Sequence, residues 1–211
     1  MMKKTVLLLM PLLFVNLAFG QTIEESIKNA EKLYKQNNYR EAIQSLDNAI
    51  KEIENSYLNN LKTDLLPQSI GEYSGQNIGN QSYISGNRIQ IQQRYEKANN
   101  SENSENANFM GVVPMISITI SNSPEKLCEV INNYSMDAGN NQIMTGISKP
   151  MKYKDYRALI QYYEESKQGK ISIIIGGAVI EIIAENTENE KILTEAADKI
   201  DTEKIIKYFG K

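Results

Sequence analysis

The stretch ISIIIGGAVIEIIA, residues 171–184, decides the fold of this chain. Two apolar runs of strand length flank Gly176 and Gly177, and a two-residue glycine loop is typical of a β-hairpin. The stretch therefore predicts antiparallel strands over residues 171–175 and 179–184. One continuous strand with a glycine bulge is the alternative that the same residues leave open.

Alternating apolar and polar residues predict three further strands. Over residues 88–95 and 112–120, isoleucines recur at every second position and alternate with glutamine, serine or threonine. Residues 153–163 are predicted to form one strand, in which several tyrosines favour a pleated, half-buried surface. The short connections between neighbouring strands predict a mostly antiparallel sheet.

Signals for helix starts follow the strands. The pair Ser123-Pro124 places a capping hydroxyl before a first-turn proline, Thr187 opens a capping box, and Asp201 starts a short last helix. This order of elements predicts an α+β fold for residues 88–211, with helices packed on one face of the sheet.

Two helices are expected ahead of the sheet. Thr22 and Glu25 form a capping box for the first helix, and the second helix begins near Tyr39. Apolar residues at spacings of three and four follow along both helices, so residues 21–66 are predicted to form a helical hairpin. Residues 67–87 are rich in glycine, serine, glutamine and asparagine, and are predicted to be a linker or an irregular lead-in to the sheet.

Small and apolar residues recur along this hairpin with a defined spacing: Ala30, Leu33, Tyr39, Ala42, Leu46, Ala49 and Ile50. In this spacing, residues 22–54 resemble one tetratricopeptide repeat. The chain departs from that family at Ser26, where the repeat has a large aromatic residue, and at Glu54, where it has proline. No second copy follows, and repeats need neighbours to bury their faces. The resemblance therefore implies a hairpin that packs on the rest of the chain, on a second copy or on a partner.

The layout of the whole chain resembles that of uncharacterised exported bacterial proteins, which join a helical lead to a small α+β domain. In the order of its elements it is also similar, more weakly, to the Mog1 and photosystem PsbP proteins. This likeness concerns element order alone, so it implies a fold class and assigns no residue a role.

Residues 1–20, MMKKTVLLLMPLLFVNLAFG, have the three parts of a secretory signal peptide. Lys3 and Lys4 give a positive start, residues 5–15 are apolar, and Ala18-Phe19-Gly20 offers small residues at a cleavage site. An uncleaved membrane anchor is the alternative. Cleavage is expected to deliver the chain to the periplasm, with no transmembrane segment left in it.

The composition excludes several classes of function. The chain has 23 basic and 26 acidic residues and a net charge of −3, so it lacks the basic excess that nucleic-acid binding requires. It has no histidine and a single cysteine, Cys128, which is expected to be buried on a helix. Ser-His-Asp and Cys-His catalysis, histidine-liganded metals and an internal disulfide are thereby excluded. No catalytic residue, metal site or cofactor is predicted, and we expect the protein not to be an enzyme.

Two groups of residues in the α+β domain invite a functional interpretation. Tyr153, Tyr156 and Arg157 combine aromatic and basic side chains, which form a recognition surface in some interfaces and pack within the sheet in others. Glu181 interrupts an apolar strand, and we expect it to form a structural ion pair with Lys170 or Arg157 rather than to act as a catalytic acid.

The leading hypothesis is an exported, non-enzymatic envelope protein that works as a binding module. The helical hairpin would dock a protein partner or form a homo-oligomer, and Leu46 and Ile50 are the residues predicted to carry the contact. The alternative is a carrier of a small apolar ligand held between the sheet and its helices.

The signal segment makes a direct prediction about export. Replacing Leu8 and Leu9 by arginine should break the apolar run, so the chain should stay in the cytoplasm at its full mass. The unaltered chain should be recovered outside the cytoplasm with Gln21 as its first residue, as read by intact-mass spectrometry. Recovery of the unaltered chain with residues 1–20 attached would contradict cleavage and favour the anchor.

Overall fold

The computed structural model describes residues 22–76, 81–97, 113–139 and 149–210, and in residues 136–139 only the backbone. The predicted signal segment lies outside the described residues. The chain divides into two compact units, the first ending at Ile53 and the second beginning at Glu54. This division falls earlier than the predicted end of the hairpin at residue 66. None of the helices in the described part of the chain is long and apolar enough to cross a membrane.

The first unit is built from two helices, α1 (Ile23–Lys35) and α2 (Tyr39–Leu65), the second of which continues into the next unit. The predicted capping box is confirmed: Glu25 N donates to Thr22 Oγ1 at 3.3 Å, and Thr22 N donates to Glu25 Oε2 at 3.1 Å. Asn37 turns the chain with a φ of 62°, a conformation that asparagine tolerates better than most residues. The helical hairpin is thus confirmed as a local structure.

The second unit contains one sheet, to which the described residues contribute nine strands: β1 (Ser69–Ile70), β2 (Tyr73–Gln76), β3 (Tyr83–Ser85), β4 (Arg88–Lys97), β5 (Met115–Ser121), β6 (Lys149–Tyr153), β7 (Tyr156–Tyr163), β8 (Gln168–Ile175) and β9 (Ala178–Glu185). The strand order is β1-β2-β4-β5-β9-β8-β7-β6, and β3 pairs with β4 as well. Each of these pairings is antiparallel. The predicted α+β class with a mostly antiparallel sheet is therefore confirmed.

Three further helices belong to this unit: α3 (Pro124–Gly139) lies between β5 and β6, and α4 (Lys191–Asp198) and α5 (Thr202–Phe209) follow β9. One sheet face packs against apolar side chains of α4, α5 and the last turns of α2, among them Leu193, Phe209 and Leu61. The opposite face packs against α3 through a smaller cluster that contains Val130 and Val179. The prediction that all helices pack on one face is therefore wrong for α3, because an apolar patch on the second face gives that helix its own contact.

Two segments hold more strands than the sequence predicted. The strand predicted over residues 153–163 begins only at Tyr156 as β7, because Lys154 adopts a φ of 53° and reverses the chain after a further strand, β6, which ends at Tyr153. Residues 67–87, predicted to be a linker or an irregular lead-in, contain the short strands β1, β2 and β3. Ile70 and Tyr73 are buried there, which anchors the segment to the sheet.

Two predicted turns at the end of the chain have different outcomes. The glycine hairpin is confirmed: Ile175 pairs with Ala178, and Gly176 takes a φ of 58°. A β-carbon on Gly177 would lie 2.6 Å from the backbone oxygen of Phe209, so α5 closes over this turn. The capping box at Thr187 is wrong, because α4 begins only at Lys191 and Thr187 is buried instead.

Adjacent residues of the central strand β9 should differ sharply in their effect on stability. Ile182 is fully buried, whereas Ile183 on the other face is 36% exposed. Ile182→Ala should lower the free energy of unfolding by about 2–5 kcal/mol through lost burial and a residual cavity. Ile183→Ala is the matched control and should cost less than about 1 kcal/mol. Urea unfolding measures both free energies, provided that their dependence on urea concentration is the same as in the unaltered chain. Equal losses of unfolding free energy in the two variants would contradict the assignment of Ile182 and Ile183 to opposite sheet faces.

Candidate functional site

The inner face of the hairpin is made of small residues. Ser26, Ala30, Ala42, Ser45 and Ala49 are its buried members. Ser45 Oγ donates a hydrogen bond to the backbone oxygen of Ser26 at 2.8 Å and accepts one from the Asn29 amide at 3.2 Å. A side-chain hydroxyl reaches the backbone of the facing helix only when two helices approach closely, and small residues permit that approach. The fully buried residues of the hairpin are therefore small, and the large apolar residues Ile23 and Leu33 of α1 are only half-buried.

The large apolar residues of α2 in this unit lie on its outer face instead, and we call this set the apolar stripe: Tyr39, Ile43, Leu46, Ile50 and Ile53. Their exposed fractions run from 43% at Leu46 to 60% at Ile43. Ile27 and Tyr34 of α1 are also exposed. A helix face that is apolar and exposed is unusual in a globular unit, because burial of such residues is the main stabilising term in folding.

A groove of about 480 Å³ runs along this surface between α1 and α2. Its walls are mainly apolar and include Ile27, Tyr34, Ile43 and Leu46. The rings of Tyr34 and Tyr39 meet edge to face at 5.6 Å, and the Tyr39 hydroxyl donates to Asn37 Oδ1 at 2.8 Å. These contacts fix the aromatic end of the groove next to the turn.

The predicted contact residues Leu46 and Ile50 both belong to the apolar stripe, so the structure brings them together on one exposed surface. Ala42 and Ala49 recur in the sequence with the same spacing as these residues. The structure distinguishes the two sets by burial: both alanines are buried, Ala42 at the floor of the groove, whereas the larger residues are exposed. Residue size is the sequence feature that distinguishes the alanines from the larger apolar residues, because small and large residues alternate along one broad apolar face of α2.

The structure does not bring Tyr153, Tyr156 and Arg157 to one surface. Tyr153 is buried and donates its hydroxyl to Asp198 Oδ1 at 2.5 Å. Burial, and secondarily the Asp198 carboxylate, raise the pKa of Tyr153 well above its usual value. Tyr156 packs against the main core, whereas Arg157 lies over the ring of Tyr134 at 5.8 Å. The described contacts of these residues are thus internal to the fold.

Glu181 lies on the second sheet face at the centre of a three-membered charge cluster. Its two carboxylate oxygens lie 2.5 Å from Lys126 Nζ and 2.6 Å from Lys170 Nζ, and its side chain is only 12% exposed. Burial alone would raise the pKa of Glu181, but hydrogen bonds and charge from both lysines outweigh it and hold that pKa below its usual value. The predicted ion pair with Lys170 is confirmed, and Lys126 of α3 is a second partner.

Other clefts of the second unit are polar and open to solvent. One cleft of about 280 Å³ is lined by Arg94, Gln92 and Glu185, and another of about 400 Å³ by Glu72, Glu188 and Glu195 among others. The three acids of the larger cleft are exposed, and Glu72 is paired with Lys97 at 2.5 Å. Exposed carboxylates lack the desolvation that prepares an acid for catalysis near neutral pH.

The described residues offer carboxylates as metal ligands and Cys128 as a reactive thiol. Across the described ranges, histidine, cysteine, aspartate and glutamate nowhere gather in a group of three or more that could hold a metal ion. Cys128 is exposed on α3, so the expectation that it is buried is wrong. The apolar side of that helix is turned toward the sheet through Leu127 and Val130, which leaves Cys128 outside.

Comparison with known proteins finds no matching family, no matching curated protein and no matching solved structure. The resemblance of the hairpin to a tetratricopeptide repeat therefore stays a prediction. Function has to be inferred from the chain's own residues, and the hairpin surface is the feature that folding of the described residues leaves unexplained.

The charge cluster around Glu181 predicts a pH-dependent contribution to stability. Its lowered pKa means that the folded chain releases this proton at a lower pH than the unfolded chain, whose glutamates titrate near about 4.3. The stabilisation is therefore present above that pH and is lost as the pH falls through the folded-state pKa. Glu181→Gln should cost about 1–3 kcal/mol at about pH 7, because two lysines lose their counter-charge, and much less at about pH 3.

Urea unfolding of both proteins at the two pH values measures this difference. Glu129→Gln on the exposed side of α3 is the matched control and should change the unfolding free energy by less than about 0.5 kcal/mol at either pH. A penalty for Glu181→Gln that stays the same at both pH values would show that the carboxylate charge does not stabilise the fold.

Proposed function

We propose that this chain is an exported, non-enzymatic envelope protein that acts by binding another polypeptide through the apolar stripe. The observation that carries the proposal is the exposure of Tyr39, Ile43, Leu46, Ile50 and Ile53 on one helix face. Export rests on the predicted signal segment, residues 1–20. The sheet unit then serves as the stable body that presents the hairpin.

The size of the exposed surface supports a polypeptide as the occupant. Seven large apolar side chains of the hairpin, each about half exposed, leave on the order of 600 Å² of apolar surface open to water. Contiguous apolar patches of more than a few hundred Å² on soluble proteins usually mark interaction sites. A small apolar ligand would cover only part of such a surface.

The interior of the sheet unit gives less support to a carrier of an apolar ligand. The described side chains between the sheet and α4 include Ile171, Ile182 and Leu193, all of them fully buried. Close packing of this kind fills the space that a ligand between sheet and helices would need. The carrier hypothesis therefore ranks below the binding module.

The chemistry of the described residues also favours binding over catalysis. Glu181, the most buried carboxylate discussed above, is neutralised by Lys170 of the sheet and Lys126 of α3. A carboxylate held ionised by fixed partners is a poor proton donor at neutral pH. The remaining acids of the clefts are solvated at the surface.

Site-specific photo-cross-linking in cells of the source organism tests the proposal. A benzophenone side chain at position 46 should give a covalent adduct heavier than the single chain, because Leu46 lies in the middle of the apolar stripe. The same probe at Asn48, which is exposed but outside the stripe, is the matched control and should give no such adduct.

Two outcomes would contradict the proposal. The first is a folded, exported protein whose probe at position 46 gives no adduct. The second is equal adduct formation at positions 46 and 48, which would show that the chain makes only random encounters.

A further inference from the structure

Building on the proposed function, we propose that the polypeptide covering the apolar stripe is a second copy of this chain, paired antiparallel along α2. The occupant is inferred from three properties of the hairpin: the spacing of its apolar residues, the position of its charges and the area that it exposes.

The spacing of the stripe is that of a helix made to pack against another helix. Tyr39, Ile43, Leu46, Ile50 and Ile53 follow one another at intervals of four, three, four and three residues. This is the heptad pattern of a coiled coil, in which such residues interlock with those of a facing helix. A surface that binds loops or small molecules does not require apolar residues at alternating intervals of four and three.

The stripe is complementary to itself when two copies run in opposite directions. A two-fold axis between Ile43 and Leu46 sets Ile43 of each copy opposite Leu46 of the other. The same axis sets Tyr39 of each copy opposite Ile50 of the other. Each of these layers joins two large apolar side chains, as an isologous interface between identical chains requires, and Ile53 lies beyond the paired layers.

The charges beside the stripe favour the same register. Arg40 follows Tyr39 and Asp47 follows Leu46, so both lie on the same flank, and both are exposed. In the antiparallel pair, Arg40 of each copy lies next to Asp47 of the other, which gives two opposite-charge contacts. A shift by one heptad would instead set the two Asp47 carboxylates against each other, and like charges at such positions are unfavourable.

Area and charge composition distinguish this occupant from others. A stable interface buries about 800 Å² on each partner. The exposed apolar surface of the hairpin and the polar side chains at its edges together approach this area. A helix that lies on a membrane concentrates lysine and arginine beside its apolar face. Residues 22–53 instead carry five basic and six acidic side chains, so the hairpin has no basic excess and a lipid surface fits less well.

The experiment measures the mass of the chain without its signal segment, residues 21–211, by sedimentation equilibrium between about 1 and 100 µM. The unaltered chain should have twice the single-chain mass. Leu46→Asp should have the single-chain mass, and Asn48→Asp, which adds the same charge outside the stripe, should stay a dimer. Circular dichroism and thermal unfolding of each variant establish that the sheet unit remains folded.

A charge exchange tests the direction and register of the pair. Arg40→Asp should raise the dimer dissociation constant on the order of tenfold, because it replaces two attractions by repulsions. Adding Asp47→Arg to this variant should restore the dissociation constant. Failure of the double variant to restore dimerisation would overturn the antiparallel register, and a monomeric unaltered chain would overturn the second copy as occupant.

The results separate this inference from the proposed function. A monomeric chain whose position 46 cross-links in cells to a different polypeptide would overturn the homodimer and leave the binding module intact. An adduct at position 46 with twice the single-chain mass would support both. No adduct at position 46 together with a monomeric chain would overturn both.

Discussion

Contact between isoleucine side chains on neighbouring central strands is the interaction on which the sheet unit depends. Ile118, Ile182 and Ile171 lie side by side on β5, β9 and β8, and each is fully buried. The strict period of two along each strand turns all such residues toward the same face. Helices α4 and α5 and the last turns of α2 then cover this face, which removes its apolar surface from water.

In the hairpin, unlike the sheet unit, most large apolar residues are exposed and not buried. Its interior contains alanine and serine, and its large apolar residues face outward. Small residues let the two helices approach closely, but they bury little apolar surface and stabilise the hairpin weakly. A pair of helices that keeps its largest apolar residues outside is incomplete as a folding unit, which is the physical reason to expect a covering polypeptide.

The second face of the sheet carries a polar surface that is partly buried. Serine, threonine and glutamate line this face on β5, β8 and β9, and α3 covers one end of it through Val130. Lys126 reaches Glu181 from that helix, so the ion pair joins α3 to the sheet. Removing one member of such a cluster leaves a partly buried charge without its partner, which lowers the stability of the fold.

Much of the local structure follows from the sequence alone. The capping box at Thr22, the glycine turn at Gly176 and the alternation around Ile182 are local patterns, and local patterns depend on backbone geometry that the residue types fix. The turn between β6 and β7 is not indicated by the sequence, because lysine is not a residue type that favours the positive φ that Lys154 adopts. The short strands of residues 67–87 are not indicated by the sequence, because two to four residues are too few to show an alternating pattern, and β2 in addition pairs with a part of β4 that is distant in the chain.

Only the tertiary structure decided which apolar residues are covered. The sequence determines that α2 has an apolar face, since its spacing of three and four residues is set by the helix itself. It does not determine that Ala42 and Ala49 turn inward while Ile43, Leu46 and Ile50 stay exposed. That choice depends on how closely two helices approach, which is a property of the packed pair. The location of α3 and the second lysine partner of Glu181 were decided in the same way, because both depend on residues distant in the chain.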